Sequence, residues 1–385
     1  GDRTIARARQ AAKRRTFPLI NSQIIAAADT GDLELLMSTI EAYLGQMNLV
    51  NLSTALHRLA KLTAADAEAA EALWQHPALP ALMEALRQML QVAGTGGAPP
   101  QCQALSNIVW SLATIQVVDE AALGRIAELA SVHLKDFKPF ELASLLWGFA
   151  KIAEATRGAV LCTARLFEVA AAHVMADLQA YTFRCLVMLT WAFSYMGPHD
   201  PVLFRGLAGQ LSPMLHTGSC HDFASLAWAF GNAGVRQDKL FSDIAQRSIS
   251  RMGDFSAQEL VETLHSFTQN GFFHRGFLLA AAAAMEKLDS SAQQVVAFAS
   301  AASCLRPRHH GTRSALAMVL PRCTSLVGEL SDDDLASAAF AVAACFYMEA
   351  PAEQPEAATA ETPPEVCAFV RSVGGALLRP DGRLR

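Results

Sequence analysis

Eleven histidines, eight cysteines and 36 acidic residues give this 385-residue chain the raw material for a metal centre or a proton-transfer site. Their spacing builds neither. Two imidazoles share a metal from one helix when they stand four residues apart with a carboxylate nearby, and no two histidines here have that spacing. His309 and His310 are adjacent, as are Cys220 and His221, so their side chains diverge. The cysteines stand singly at 102, 162, 185, 220, 304, 323, 345 and 367, with no Cys-x-x-Cys, and read as reduced, small apolar residues. Asp332, Asp333 and Asp334 could hold a divalent ion, but directly after Ser331 they suit the first turn of a helix, where carboxylates meet free N–H groups. The sequence contains no phosphate-cradling Gly-x-x-x-x-Gly-Lys loop, no Gly-x-Ser-x-Gly elbow and no dinucleotide fingerprint. The expectation is a protein that is not an enzyme and uses no cofactor or metal.

A second chemistry is attraction for phosphate. Lys151 and Arg157, then His199, Arg236 and Lys239, His274 and Arg275, and finally Arg306, Arg308, His309, His310 and Arg313 fall in the breaks between apolar segments. If those segments stack side by side, the breaks form one edge, and their cations a positive stripe on a chain of net charge −5. Phosphates bind such stripes through charge and counterion release. The alternative is an ordinary set of solvated turns. Residues 1–16 are also basic, with Arg3, Arg7, Arg9, Lys13, Arg14 and Arg15 against Asp2 alone. That head reads as an arm for phosphates (Arg7, Arg14 and Arg15 foremost), as the remnant of an organelle transit peptide, or as a solvated terminus.

The elements that would position these groups are set by a recurring pattern. Residues 142–152 read Leu-Ala-Ser-Leu-Leu-Trp-Gly-Phe-Ala-Lys-Ile, and residues 223–233 read Phe-Ala-Ser-Leu-Ala-Trp-Ala-Phe-Gly-Asn-Ala. An aromatic or equivalent anchor recurs at His57, Trp110, Trp147, Trp191, Trp228, His265, Ser300 and Phe340, at intervals of 53, 37, 44, 37, 37, 35 and 40 residues. A near-constant period in this range marks a solenoid of two-helix repeats. The first helix of each repeat, helix A, carries the anchor; apolar residues at 142, 145, 146, 149 and 152 follow the i, i+3, i+4, i+7 spacing of one helical face. The second, helix B, is expected at 161–172, 202–211, 240–252, 277–288, 315–326 and 366–378. Gly231, Gly234, Gly271 and Gly311 are read as punctuating the A–B turns. The tryptophan column is read as core, knitting neighbouring repeats, and not as a ladder for unpaired bases, because Phe149, Phe193 and Phe230 follow two residues later. His57 and His265 are read as core-edge occupants of the same slot.

Bulk composition fits this plan. Hydrophobic residues make up 52% and charged residues 17%, against a usual charged share of about a quarter, as expected where helices are buried between two neighbours. No apolar run reaches the roughly 18 residues of a membrane span. The expected organisation is a basic arm over 1–16, an all-α solenoid of about eight repeats of roughly 37 residues over 17–378, and a tail over 379–385. Flexible inserts are expected at 92–100, which is taken to explain the 53-residue interval, and at 350–364.

The Leu-Ala-x-Leu-x-Trp-Ala-Phe pattern, clearest at 142–152, 186–196 and 223–233, resembles the heptatricopeptide and octotricopeptide repeat proteins of organelles. Degenerate copies extend the likeness over 48–378. The Pro-Pro-Pro-Glu-Trp signature of octotricopeptide repeats is missing, with Lys138-Pro-Phe-Glu-Leu142 its nearest echo, which favours the heptatricopeptide branch. The nuclease-like RAP domain that ends some of these proteins is not expected in 379–385. The resemblance implies an α-solenoid in a mitochondrion or plastid, in the matrix or stroma, holding organellar rRNA or mRNA within a larger assembly such as an organelle ribosome. The rival expectation is a scaffold subunit that contacts other subunits and no RNA. No membrane insertion is expected in either case.

Overall fold

The computed structural model describes residues 2–94, 100–158, 163–347 and 362–377, with side chains from Thr16 to Ala376. Among these residues every regular element is helical and helix packs on neighbouring helix, giving an all-α solenoid architecture. The chain forms two compact units, Gly1–Leu203 and Phe204–Arg385.

Unit 1 opens with α1 (Asp2–Asp29) and α2 (Leu33–Tyr43). The first repeat follows as α3 (Leu49–Thr63), an inserted α4 (Ala67–Gln75) and α5 (Ala78–Val92). Then come α6 (Cys102–Thr114) with α7 (Glu120–Val132), α8 (Pro139–Ala155) with α9 (Ala164–Ala176), and α10 (Phe183–Met196). Helices α1, α3, α6, α8 and α10 pack side by side as one layer, and α5, α7 and α9 as the other.

Helix α11 (Pro201–Leu211) straddles the boundary. Unit 2 continues with four pairs: α12 (Cys220–Asn232) and α13 (Asp238–Ser250), α14 (Ala257–Gln269) and α15 (Arg275–Met285), α16 (Ala292–Cys304) and α17 (His310–Ser325), and α18 (Asp332–Val342) and α19 (Pro364–Leu377). Again the A helices α12, α14, α16 and α18 form one layer and α13, α15, α17 and α19 the other.

Local chemistry sets these boundaries. Four A helices of unit 2 start with the same reciprocal cap: Ser219, Ser256, Ser291 and Ser331 each accept from the backbone N–H three residues on, while Asp222, Glu259, Gln294 and Asp334 reach back to the cap N–H. Two of the four free N–H groups at each start are thereby satisfied. The cap of α12 is Ser219, with Asp222 its partner, and of the Asp332–Asp334 run Asp334 is engaged in the same way. Most A helices end six residues after the anchor on a left-handed residue: Gln116, Gly197, Gly234, Gly271 and Arg306, with φ of 56°, 80°, 65°, 61° and 45°. Glycine adopts that conformation without strain, and the other two do not.

The residue after the anchor is small, as in Gly148, Ala192, Ala229, Ser266, Ala301 and Ala341, and this permits close approach of the A helices. A Cβ added to Gly148 would come within 2.9 Å of Val109 Cγ1 and 3.1 Å of the Trp110 backbone nitrogen. Of the four glycines read as turn punctuation, Gly231 and Gly311 lie inside α12 and α17, while Gly234 and Gly271 follow helix ends. A Cβ added to Gly231 would come within 2.9 Å of Asn270 Nδ2 and 3.2 Å of Gln269 Oε1, so this glycine serves the same close approach.

Two sequence readings need correction. The 53-residue interval is filled by α4, whose Trp74 indole N–H donates to the Ile115 carbonyl at 2.7 Å and ties the extra helix to the next repeat. A further helix pair, α1 and α2, precedes the first anchor and packs on α3, with Ile20, Ile24, Leu36, Met37 and Ile40 fully buried. Most of the insert at 350–364, the centre of the insert at 92–100, and the 379–385 tail lie outside the described residues. Among the described residues no helix is long and apolar enough to cross a membrane.

Candidate nucleic-acid interface

The core of each repeat lies two residues past the anchor. Leu59, Leu112, Phe149, Phe193, Phe230 and Phe267 are at most 1% exposed, and in unit 2 their rings meet edge to face: Phe230 lies 5.4 Å from Phe204, and Phe267 5.5 Å from Phe241. The anchors are different. His57, Trp110, Trp147, Trp191 and Trp228 are half-buried, His265 is exposed, and Phe340 is 62% exposed. The tryptophan column does knit neighbouring repeats, through the His57–Trp110 and Trp147–Trp191 contacts, but from a half-buried position: the fully buried slot is that of the phenylalanines. The helical period explains why. Positions 142, 145, 146, 149 and 152 form one stripe, and Trp147 falls about 200° around the helix from Phe149. The two-residue offset, taken in sequence as a reason to place both rings in the core, sets them on opposite sides of the helix.

The surface rings of unit 1 form two clusters. His57 and Trp110 lie 5.2 Å apart, tilted by 51°. Trp147 and Trp191 are 6.4 Å apart, and Trp191 stacks on Tyr195 at 5.8 Å and 20°. The Lys151 ammonium sits 4.3 Å from the Trp191 ring centre and 5.8 Å from that of Trp147, a cation–π arrangement. Partial burial, followed by the Lys61 and Arg58 charges, lowers the affinity of His57 for a proton, so it joins its cluster as a neutral aromatic ring.

The structure scatters the turn cations in their circumstances. Lys151 pairs with Glu154 at 2.8 Å, Arg236 with Asp238 at 2.6 Å and Lys239 with Asp243 at 3.1 Å, all at the surface. Arg157 is exposed with φ of 53°. His199 donates from Nε2 to the Ser194 carbonyl at 2.9 Å. Arg313 leans on the Phe346 ring at 5.2 Å, and Arg308 is half-buried. The side chains of Arg7, Arg14 and Arg15 lie outside the described residues.

Two turns of unit 2 do converge. Phe273, ahead of α15, and His309, ahead of α17, contact at 4.6 Å, with Arg306 over the Phe273 ring at 5.1 Å. His274 Nδ1 accepts from the Phe277 N–H at 3.0 Å, and His309 Nδ1 from the Gly311 N–H at 3.0 Å, so each histidine caps its B helix. Burial, then the charges of Arg275, Arg306 and His310, lowers the His309 proton affinity. Neither Arg275 nor Arg306 forms an ion pair among the described residues. Arg306 also holds the left-handed position that its counterparts fill with Gly234 and Gly271.

Acid–base or thiolate chemistry has no comparable focus. Burial pushes the Cys102 and Cys220 thiols up to about 11 and those of Cys323 and Cys345 up to about 12. Among the described residues no three His, Cys, Asp or Glu side chains converge as metal ligands would.

Fold and surface together define an α-solenoid whose repeats present rings on one face and cations in selected turns. Within it, residues 161–274, running from just ahead of α9 to the turn before α15, match a family model described as RNA-editing substrate-binding complex 6 protein. No curated protein matches the chain.

Proposed function

We propose that this chain is a non-catalytic helical-repeat subunit that holds RNA within a ribonucleoprotein assembly. The observation that carries it is the turn cluster of Arg275 and Arg306 around the Phe273–His309 contact, where neither arginine has a carboxylate partner among the described residues. Gathering like charges is unfavourable unless an anion is to be bound. The matched family's description supports RNA as that anion and an editing-type complex, in preference to an organelle ribosome, as the assembly. The paired cations Lys151, Arg236 and Lys239 play a smaller part in this reading, since each already has a carboxylate.

The rival reading, a scaffold that docks another subunit, draws on Phe340. It stands 62% exposed beside Ser300, Cys304 and Ser337, over an open cleft of about 330 Å³.

Salt separates the two. Binding of single-stranded RNA weakens with a slope of about 0.7 per phosphate neutralised, whereas docking through apolar surface is nearly flat in salt. The experiment is a titration of the full chain with labelled single-stranded RNA over a range of salt. An Arg275→Gln/Arg306→Gln variant that keeps its circular-dichroism spectrum should weaken binding and lower the slope by about 1.4. Absence of RNA binding by the unaltered chain at low salt removes this reading.

A further inference from the structure

We propose that the A-helix face of unit 1 is a stacking platform for unpaired RNA bases, one base resting on the His57–Trp110 cluster and another on the Trp147–Trp191–Tyr195 cluster. The inference rests on the RNA-holding reading and goes past it, since it assigns a second contact surface, of different chemistry, in the other unit.

The rings touch across neighbouring A helices, but they do not fill the core. The core slot beside each is already filled, two residues on, by Leu59, Leu112, Phe149 and Phe193. In unit 2 the same slot is occupied by Ser300 in α16, so the repeat closes without a ring. Yet unit 1 has a ring in all four of its A-helix copies, half-buried and gathered into two clusters. Half-buried aromatic faces are what base stacking uses, because every base has a π-face to offer. His57 suits this role in its neutral form.

The surroundings supply the other two needs of a base, an edge partner and a charge for its phosphate. Thr54 and Asn107 stand three residues before His57 and Trp110, on the same helical face. Both border an open cleft of about 630 Å³ that also takes in the amides of Asn21 and Gln103, within the size range of small-ligand sites. The Asn107 and Gln103 amides form no hydrogen bond with another described residue. Of the carboxylates on the cleft rim, Asp136 contacts His133 at 3.0 Å and Glu141 accepts from the Lys138 N–H at 2.9 Å. Lys61, four residues after His57, and Arg184, seven before Trp191, are exposed and form no ion pair among the described residues. They flank the row of rings as phosphate contacts.

The test uses the full chain and two probes of equal length, oligouridylate and an abasic ribose-phosphate oligomer, at one salt concentration. Oligouridylate should bind more tightly than the abasic oligomer and quench tryptophan fluorescence, and the abasic oligomer should not quench. Trp147→Leu/Trp191→Leu should lower oligouridylate affinity by about five- to hundredfold, leave the abasic affinity and the salt slope unchanged, and be rescued by Trp147→Phe/Trp191→Phe. Equal binding of the two probes by the unaltered chain, or unchanged oligouridylate affinity in the Leu variant, overturns the platform while the RNA-holding function stands. Failure of the unaltered chain to bind either probe overturns the function itself. Should the Leu variant lose its helical spectrum, the quenching comparison in the unaltered chain decides.

Discussion

Replacing Phe230 and Trp228 in turn by alanine puts the division between core and surface slots to a direct test. Phe230 is fully buried, with its ring 5.4 Å from Phe204 and 6.4 Å from Phe241, both near perpendicular. Truncating a buried phenylalanine costs about 3–5 kcal/mol. Two edge-to-face partners, each contributing about 0.5–1.5 kcal/mol, put Phe230→Ala in the upper part of that range. Trp228 is larger but half-buried, so Trp228→Ala forfeits only part of its apolar contact, about 1–2 kcal/mol. In a unit of this size, about 2–4 °C is lost per kcal/mol, so Phe230→Ala should lower the unfolding temperature by about 10 °C or more and Trp228→Ala by a few degrees. Circular dichroism at 222 nm during heating reads both. Equal losses, or a larger one for Trp228→Ala, would refute the assignment of core and surface.

Other outcomes follow from particular residues. Arg306→Gly relieves a left-handed strain of about 1–2 kcal/mol and gives up glycine's chain entropy of about 0.4–1 kcal/mol and a cation–π contact of about 0.5–1 kcal/mol. Stability should thus stay within about 1 kcal/mol while RNA affinity drops, and a parallel loss of both would show Arg306 to be structural. The folded state holds His57 below its ordinary value of 6.5, through burial first and then Lys61 and Arg58. Unfolding therefore takes up protons: this contribution is complete above about pH 6.5 and is lost as pH falls through the folded-state value. A His57→Phe chain should show a flatter fall in melting temperature over that window. Iodoacetamide at pH 8 should label Cys304, which is exposed, well before Cys323 or Cys345, whose thiols are pushed up to about 12; peptide mass spectrometry would find otherwise if α16 or α17 opened readily.

What the sequence made legible was whatever recurs. The anchors mark eight A helices, because each repeat must bury the same stripe, and four of those helices begin on a serine with Asp, Glu or Gln three residues on, at 219, 256, 291 and 331. Helices without a counterpart elsewhere in the chain escaped: α1, α2 and α4 have no anchor, and Trp74 finds its partner 41 residues away at Ile115. The site was half legible. Arg306 and His309 could be placed in one turn, but their meeting with Phe273 and Arg275 depends on how two repeats stack, which spacing alone leaves open. The pairing of Lys151, Arg236 and Lys239 with nearby acids was visible in sequence as Glu154, Asp238 and Asp243, at helical offsets of two to four.

The offset of two residues between Phe149 and Trp147, kept in each A helix from α3 to α14, separates two kinds of selection. A change in the phenylalanine slot is judged by whether the repeat still closes, and a change in the tryptophan slot by what the surface still grips. His57, Ser300 and Phe340 show how far the outer slot has already wandered with the fold intact. A substitution in the outer slot therefore costs the fold less than one in the phenylalanine slot, and surface chemistry can vary there while the repeat still closes.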